Sequence, residues 1–134
     1  MKSIYFLEET DELEFDVLAI NSHAKGYNLC WHINSALGGA FKRKDILLPD
    51  NGAFAGFTER KEGAEYTIIA NKSKKGYLLP KHNKIDFFVK IEPRLSAEKK
   101  QEFIEKLNKI SKILLIFELD LKRESEAHRL IFYD

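Results

Sequence analysis

The most regular alternation of apolar and polar side chains lies within residues 85–92. Every second residue there is apolar, and this period of two is typical of a strand with one face toward a core. Phe88 interrupts the polar side, which indicates that the first half of this strand is covered on both faces. Pro80 ends the apolar run before it, because proline has no N–H to donate to a strand ladder. Asn83 is the predicted turn residue between Pro80 and the strand.

Two segments show the helical spacing of apolar side chains. The first covers about residues 26–37 and is followed by Gly38, a residue type that commonly ends helices. The second follows Pro93 and has Ser96 as its predicted N-cap. Its charged side chains lie on the opposite face from an apolar stripe that consists of Phe103, Ile104, Leu107 and Ile110.

The remaining apolar segments predict strands. A turn cluster at residues 49–52 and a hairpin turn at Glu62-Gly63 separate some of them. The predicted strands cover residues 13–22, 46–48, 53–61, 64–72, 113–121 and 130–132.

The order of the predicted elements is strand, helix, a group of strands with a hairpin, strand, helix and strand. Such an order favours one α+β domain over residues 1–134, with two helices on one face of a largely antiparallel sheet. A ferredoxin-like sandwich with extra strands is the expected architecture. This expectation concerns fold only, because folds of this kind carry many unrelated functions.

Composition narrows the class of protein. The chain has 134 residues, of which 44% are hydrophobic and 32% charged, as in ordinary globular domains. A net charge of +1 provides no global attraction to nucleic acid or to an anionic membrane. The apolar run 113–117 is too short to span a bilayer, and acidic residues interrupt the N-terminal apolar segment, so we expect neither membrane insertion nor a signal peptide. Cys30 is the single cysteine, which suits a reducing compartment and predicts a cytoplasmic protein.

Residues 79–87 read Leu-Pro-Lys-His-Asn-Lys-Ile-Asp-Phe. This segment resembles the motif Ile-Pro-Glu-x-x-x-Val-Asp-Tyr of the IPExxxVDY family. Residues 26–31 at the start of the first helix and residues 68–72 at the end of a hairpin strand also fit that family, so the resemblance covers most of the chain. It implies a small bacterial protein, mainly of Bacteroidota, whose relatives have no established function.

The chain departs from the motif at two chemically important positions. Pro80 and Asp86 match it, whereas Lys81 stands for glutamate and Phe87 for tyrosine. A general acid or base would not survive either change. The motif is therefore predicted to be structural, and the alternative is that this chain has lost an activity.

Asp86 and His82 form the best acid–base pair that the sequence offers, since a carboxylate beside a histidine raises its basicity. The competing interpretation, which we favour, is that Asp86 bonds to loop N–H groups while His82 is solvated. Cys30 and His32 are two residues apart on a helix and do not face each other, which argues against a metal site or a thiolate–imidazole pair. No phosphate-binding loop or dinucleotide fingerprint is present, so no cofactor is predicted.

Nucleic-acid binding is a separate hypothesis. Basic clusters precede and follow a group of aromatic residues that lie on neighbouring predicted strands, as in RNA-binding sheets. The near-neutral charge and the absence of the RNA-recognition signature count against it. The residues concerned are Lys42, Arg43, Lys44, Lys72, Lys74 and Lys75, with Phe54, Phe57 and Tyr66.

Trp31 lies at the edge of the apolar stripe of the first helix, where a large aromatic caps a core or anchors a partner. The sequence therefore favours a non-enzymatic domain that acts through protein contact, with a homodimer or another protein as partner. The alternatives are a small-ligand-binding or enzymatic domain with a pocket near Pro80, His82 and Asp86, and an RNA-binding module. No catalytic and no metal-binding residue is assigned.

Overall fold

The structure is a computed structural model that describes residues 13–48 and 52–132. The N-terminal segment considered for a signal peptide lies outside the described residues, as does most of the turn predicted at 49–52. Within the described ranges, no helix is long and apolar enough to cross a membrane.

Two α-helices and ten short or medium strands make up the described fold. The helices are α1 (Gly26–Leu37) and α2 (Ala97–Asn108), and 3₁₀ turns lie at Pro80–His82 and Ala127–Leu130. The strands are β1 (Asp16–Ser22), β2 (Lys42–Arg43), β3 (Ile46–Leu48), β4 (Gly52–Phe54), β5 (Gly56–Lys61), β6 (Ala64–Ala70), β7 (Lys72–Ser73), β8 (Gly76–Tyr77), β9 (Phe87–Glu92) and β10 (Ile113–Glu118).

Six strands form one antiparallel sheet in the spatial order β10-β1-β9-β6-β5-β2. The helix α1 follows β1, and the chain reaches the parallel strand β6 after the added strands β2–β5, while α2 connects β9 with the parallel strand β10. In both cases one antiparallel strand lies between the two parallel strands. This split βαβ arrangement is the ferredoxin-like topology, so the predicted α+β class is confirmed. The strands β5 and β2 extend the sheet, and the pairs β3–β4 and β7–β8 stand outside it.

The helices cover one face of the sheet. Leu29 and Ile33 of α1 and Leu107 of α2 are buried in one cluster with Leu18 and Val89 of the sheet. Apolar side chains at intervals of three and four place one stripe of each helix against this face, which is why the helical spacing predicted both elements. The left-handed conformation of Gly38 (φ 61°) ends α1, and the Ser96 side chain accepts the Lys99 N–H at the start of α2.

The opposite face of the sheet is covered as well. Phe88 of β9 is fully buried there, against side chains from segments without long helices or strands. The interruption of the polar side at Phe88 thus predicted a strand covered on both faces, as the structure has it. The covering residues include Ile46, Phe54, Leu78, Leu79, Leu119, Leu121 and Leu130.

Several predicted boundaries differ from the structure. The segment 53–61 is divided into β4, which pairs with β3, and β5, which joins the main sheet. The strand predicted at 113–121 ends at Glu118, because the chain then leaves the sheet and buries Leu119 and Leu121 in the second core. The terminal strand predicted at 130–132 is wrong, since this segment follows a 3₁₀ turn and Leu130 packs beneath the sheet. Apolar periodicity cannot distinguish a strand from an irregular segment that covers a sheet.

An ion-pair cluster attaches α2 to the edge of the sheet. Asp16 is buried, accepts the Leu95 N–H at 3.0 Å and lies 3.3 Å from the Lys100 ammonium. The same ammonium bonds to Glu118 of β10 at 2.8 Å. These contacts compensate the buried charge of Asp16 and hold the start of the helix above β1 and β10.

Lys90 is an exception to the apolar composition of the sheet. It is 7% exposed, and its ammonium lies 4.5 Å from the ring centroids of both Phe15 and Phe132. Burial lowers the pKa of Lys90, and the nearby carboxylates of Glu92 and Glu65 oppose that shift in part. The folded state therefore binds a proton at Lys90 less readily than the unfolded chain does.

This lowered pKa predicts a pH-dependent stability. Between the folded-state pKa of Lys90 and the ordinary lysine value of 10.5, the unfolded state binds more protons, so stability gains from Lys90 as the pH rises. Urea unfolding across the alkaline range should show that the free energy of unfolding of the wild type rises with pH, in this window, relative to that of Lys90→Met. The exposed Lys109 provides the control, because Lys109→Met should leave the pH dependence unchanged; equal effects of the two substitutions would contradict the prediction.

Candidate functional site

The loop that resembles the family motif is held by one buried side chain, Asn71, at the end of β6. Asn71 is 0% exposed, and its amide nitrogen donates to the carbonyls of His82 at 2.8 Å and Ile85 at 2.9 Å. Its amide oxygen accepts the Leu79 N–H at 3.0 Å. Two donors and one acceptor of a single side chain thus satisfy three backbone groups of the loop.

The backbone of Asn71 extends the same network. Its N–H donates to the Asp86 carbonyl at 3.0 Å, and its carbonyl accepts the Leu78 N–H at 2.7 Å. The segment 78–86 is therefore bonded to Asn71 near both of its ends. Sequence reasoning placed Asn71 only at the end of a strand and did not detect this role, because the signal is a spatial one.

The structure does not bring His82 and Asp86 together as a pair. His82 bonds through Nε2 to Glu124, whose side chain is only 6% exposed. The Asp86 carboxylate instead accepts the Ser22 N–H at 2.9 Å, where β1 ends. Asp86 thus satisfies a backbone group at the end of β1, whereas loop N–H groups were the predicted partners. The predicted solvated state of His82 is wrong, because its ring is paired with the buried Glu124 carboxylate.

The two positions that depart from the motif have ordinary surroundings. Lys81 is exposed and donates to the Ser125 hydroxyl at 2.8 Å, while Phe87 is buried in the helix-side core. Pro80 is exposed and starts the 3₁₀ turn. Phe87 belongs to this core and also contributes to the wall of an open cleft.

Asp86 borders an open cleft of about 710 Å³, which Pro80 and His82 do not line. Lys25, Lys72 and Lys74 line the cleft together with Arg43, which forms an ion pair with Asp45. The two basic clusters of the RNA-binding hypothesis lie about thirty residues apart in the sequence. Side chains from both clusters line this one cleft.

The aromatic residues of the RNA-binding hypothesis do not form a stacking surface. Phe54 is 0% exposed and Phe57 is 5% exposed, so neither ring face is available to a base. Tyr66 is half-buried and contacts Phe41 and Phe103 on the helix side. Base stacking requires accessible ring faces, and these three side chains belong to the packing of the domain instead.

Cys30 is a buried, free thiol in the helix-side core. Burial raises its pKa, and the negative charge of Glu59 raises it further. The thiolate is the reactive form of cysteine, so both effects make Cys30 less reactive. Within residues 13–48 and 52–132, no group of His, Cys, Asp and Glu is arranged to hold a metal ion.

Trp31 lies on the surface of α1. It is 63% exposed, and Tyr27, one turn earlier on the same side of the helix, is 75% exposed. The Trp31 ring makes an edge contact with His32 at a centroid distance of 5.0 Å. Both aromatics are accessible to a partner, but they are the only large, exposed apolar side chains on α1.

The strand β10 offers a more extended surface at one end of the main sheet. Leu114, Leu115 and Phe117 are 57%, 51% and 37% exposed, so half of its six residues are large, accessible hydrophobics. Within the described residues β10 pairs with β1 on one side only, because it is the first strand in the sheet order. The opposite edge strand, β2, has two residues, and both are charged. Natural sheets commonly protect their edges with short strands and charges, whereas β10 has six residues and a single charged one, Glu118, at its end.

The ladder between β1 and β10 determines which backbone groups of β10 face outward. The Leu119 N–H donates to the Val17 carbonyl at 2.8 Å. In an antiparallel pair, hydrogen-bonded residues alternate with residues whose N–H and C=O groups point away from the partner. The groups of Ile116 and Glu118 therefore point outward, where a further strand can bond to them. The alternation does not extend to Leu114, because the register between β1 and β10 shifts there.

No protein-family model matches the chain, and no curated protein sequence matches it. The candidate sites consequently rest on the geometry described above.

We expect the Asn71 side chain to contribute far more stability than Asp86. Asn71→Ala leaves three backbone groups without their partners in a buried site, which should cost about 3 kcal/mol. Asp86→Ala removes one bond to a solvent-accessible N–H and should cost about 1 kcal/mol or less. Urea unfolding of both variants measures the difference, and similar losses for the two would refute the role assigned to Asn71.

Cys30 should react slowly with a thiol reagent in the native protein. Its burial and raised pKa both lower the concentration of accessible thiolate. In denaturant the reaction should become fast, since the unfolded chain exposes the thiol. A native rate equal to the unfolded rate would show that the core around Cys30 opens freely.

Proposed function

We propose that this domain acts through protein contact, and that its partner is a second copy of itself, paired edge to edge along β10. The observation that supports this proposal most strongly is the contrast between the two edges of the main sheet. The β2 edge is short and charged, whereas β10 carries three exposed hydrophobic side chains and a row of outward N–H and C=O groups. Such an edge is a template for another strand.

The register of this pairing follows from the outward groups. A symmetric antiparallel pair places one residue opposite itself, and we assign Ile116, an outward residue near the middle of β10, to that position. Leu115 then lies opposite Phe117 of the second copy, and Phe117 opposite Leu115, on the same face of a continuous sheet. Non-hydrogen-bonded antiparallel positions bring side chains closest together, so these exposed apolar groups bury one another.

Charges beyond the strand are compatible with this register. Lys112 precedes β10 and Asp120 follows it, both with exposed positions. Antiparallel pairing centred on Ile116 brings Lys112 toward Asp120 of the second copy at each end. Opposite charges at the rim favour this register over a shifted one, although each pair adds little affinity.

Trp31 and Tyr27 provide a weaker basis for self-association. They lie on a helix surface and offer side chains without backbone hydrogen-bonding groups. A strand edge combines both kinds of contact, which makes β10 the better candidate. Trp31 serves as a test of the alternative.

The family and the location belong to the same proposal. Membership of the IPExxxVDY family is supported by the match at Pro80 and Asp86, and by the backbone role that Asp86 has in the loop. A cytoplasmic location is supported by the free thiol of Cys30, which needs no oxidising compartment.

Sedimentation velocity or light scattering at micromolar concentrations tests the interface. The wild type should be a dimer, and Leu115→Lys should be a monomer with an unchanged circular dichroism spectrum, because a solvent-facing lysine is harmless in the monomer but places an unpaired charge in the pair. Leu47→Lys and Trp31→Lys alter equally exposed side chains elsewhere and should remain dimeric.

A monomeric wild type would refute the proposal. A dimer that persists in Leu115→Lys and dissociates in Trp31→Lys would assign the interface to α1 instead of β10.

A further inference from the structure

A second feature, independent of β10, lies on the helix-covered side of the domain. A cavity of about 160 Å³, open to solvent on one side, lies between α2, the end of α1 and the β5–β6 hairpin. We call it the aromatic cavity, after the three rings of Phe41, Tyr66 and Phe103 that line it. Leu37 and Leu95 add aliphatic side chains to its wall.

The ring of Tyr66 contacts the rings of Phe41 and Phe103 along the wall of the cavity. Tyr66 and Phe103 have centroids 5.2 Å apart with their planes inclined by 44°, and Phe41 meets Tyr66 edge-on at 6.5 Å. Both geometries are favourable for aromatic pairs, so the walls are held by their own contacts. The volume is close to that of an apolar cavity of about 150 Å³ known to hold one benzene molecule.

The Tyr66 hydroxyl adds a polar group to the wall. Burial raises its pKa, and the negative charges of Glu62 and Glu59 raise it further. The phenol therefore keeps its proton at neutral pH and can donate a hydrogen bond within the cavity.

The mouth of the cavity carries charges of both signs. Lys99, Glu102 and Lys106 lie along α2 at intervals of three and four residues, which places them on one side of the helix. Lys61 and Glu62 line the opposite side, from the turn of the hairpin. With Glu59, which already accepts the Ala40 N–H at 2.9 Å, lysines and glutamates are equal in number around the mouth.

These features select a class of ligand. The aromatic and aliphatic side chains of the lining offer one ring a surface to pack against, and the volume is too small for full burial of bicyclic or larger molecules. The balanced charges at the mouth give no net attraction to a simple anion or a simple cation. A molecule with one aromatic ring, one carboxylate and one ammonium group satisfies the interior and both kinds of charge.

We propose that the aromatic cavity binds a small zwitterion with a single aromatic ring, of the chemical class of an aromatic amino acid. Its ring lies against Tyr66 and Phe103, its carboxylate faces Lys106, and its ammonium group faces Glu102. The charged groups stay at the mouth in contact with solvent, so their burial costs little. The proposal does not depend on self-association, because no residue of β10 lines the cavity.

Titration calorimetry and NMR shift mapping with L-phenylalanine test this site. Saturable binding is expected, with shifts at Tyr66 and Phe103. Phenylacetate lacks the ammonium group and phenethylamine lacks the carboxylate, so each should bind roughly fivefold or more weakly. Equal binding of all three probes would overturn the zwitterion assignment, and no saturable binding of L-phenylalanine up to about 10 mM would overturn the site.

Charge variants on α2 provide matched controls. Glu102→Lys and Lys106→Glu alter exposed residues at the mouth and should weaken L-phenylalanine binding roughly fivefold. Glu105→Lys on α2 and Lys109→Glu at its C-cap make the same changes outside the cavity, and both variants should bind as wild type does. Equal affinities for both sets of variants would refute the assigned roles of Glu102 and Lys106.

Measuring the same affinities in the Leu115→Lys variant separates this proposal from the dimer proposal. The cavity should bind its ligand equally well in the monomer and the dimer. If the dimer binds L-phenylalanine and the monomeric Leu115→Lys variant does not, the second copy completes the site, and the proposal of an independent cavity is overturned.

Discussion

The fold depends on one buried amide. Asn71 is fully buried, and its side chain and backbone together bond to five backbone groups between residues 78 and 86. The loop that it holds delivers Leu78 and Leu79 to the second core and aligns the start of β9, the strand at the centre of the sheet. A buried polar network of this kind is stabilising only when every member is satisfied, so it specifies a single loop conformation. In the loop, Pro80 starts the 3₁₀ turn and the Asp86 carboxylate accepts the Ser22 N–H, so both residues that match the motif have a structural role.

Covering both faces of the sheet has a consequence for its edges. The helices occupy one face, and irregular segments occupy the other, so the remaining exposed apolar surface of the sheet is concentrated on β10. A central strand such as β9 is satisfied on all sides, whereas an edge strand keeps half of its backbone groups for solvent or for a partner. The proposed pairing edge and the proposed ligand cavity therefore lie in different parts of the molecule.

Local sequence patterns predicted the helices correctly but failed for one buried irregular segment and for one side-chain pair. The spacing of apolar residues predicted both helices. Gly38 predicted the end of α1 and Ser96 the start of α2, because capping residues act within one helical turn. The same spacing failed at residues 130–132, because a buried irregular segment and a strand can show the same apolar run. Of the predicted site residues, Trp31 is exposed as expected, but His82 pairs with Glu124, more than forty residues away, which no local pattern encodes.

The sequence by itself determined the fold class, both helices, the hairpin and the central strand, because these follow from short-range periodicity and from capping or turn residues. Tertiary structure alone decided which strand became an exposed edge, which groups Asn71 would satisfy, and that Tyr66 and Phe103 would enclose a cavity. The physical reason is that these properties arise from contacts between segments distant in the chain, where strand order and packing, not local propensity, fix the outcome.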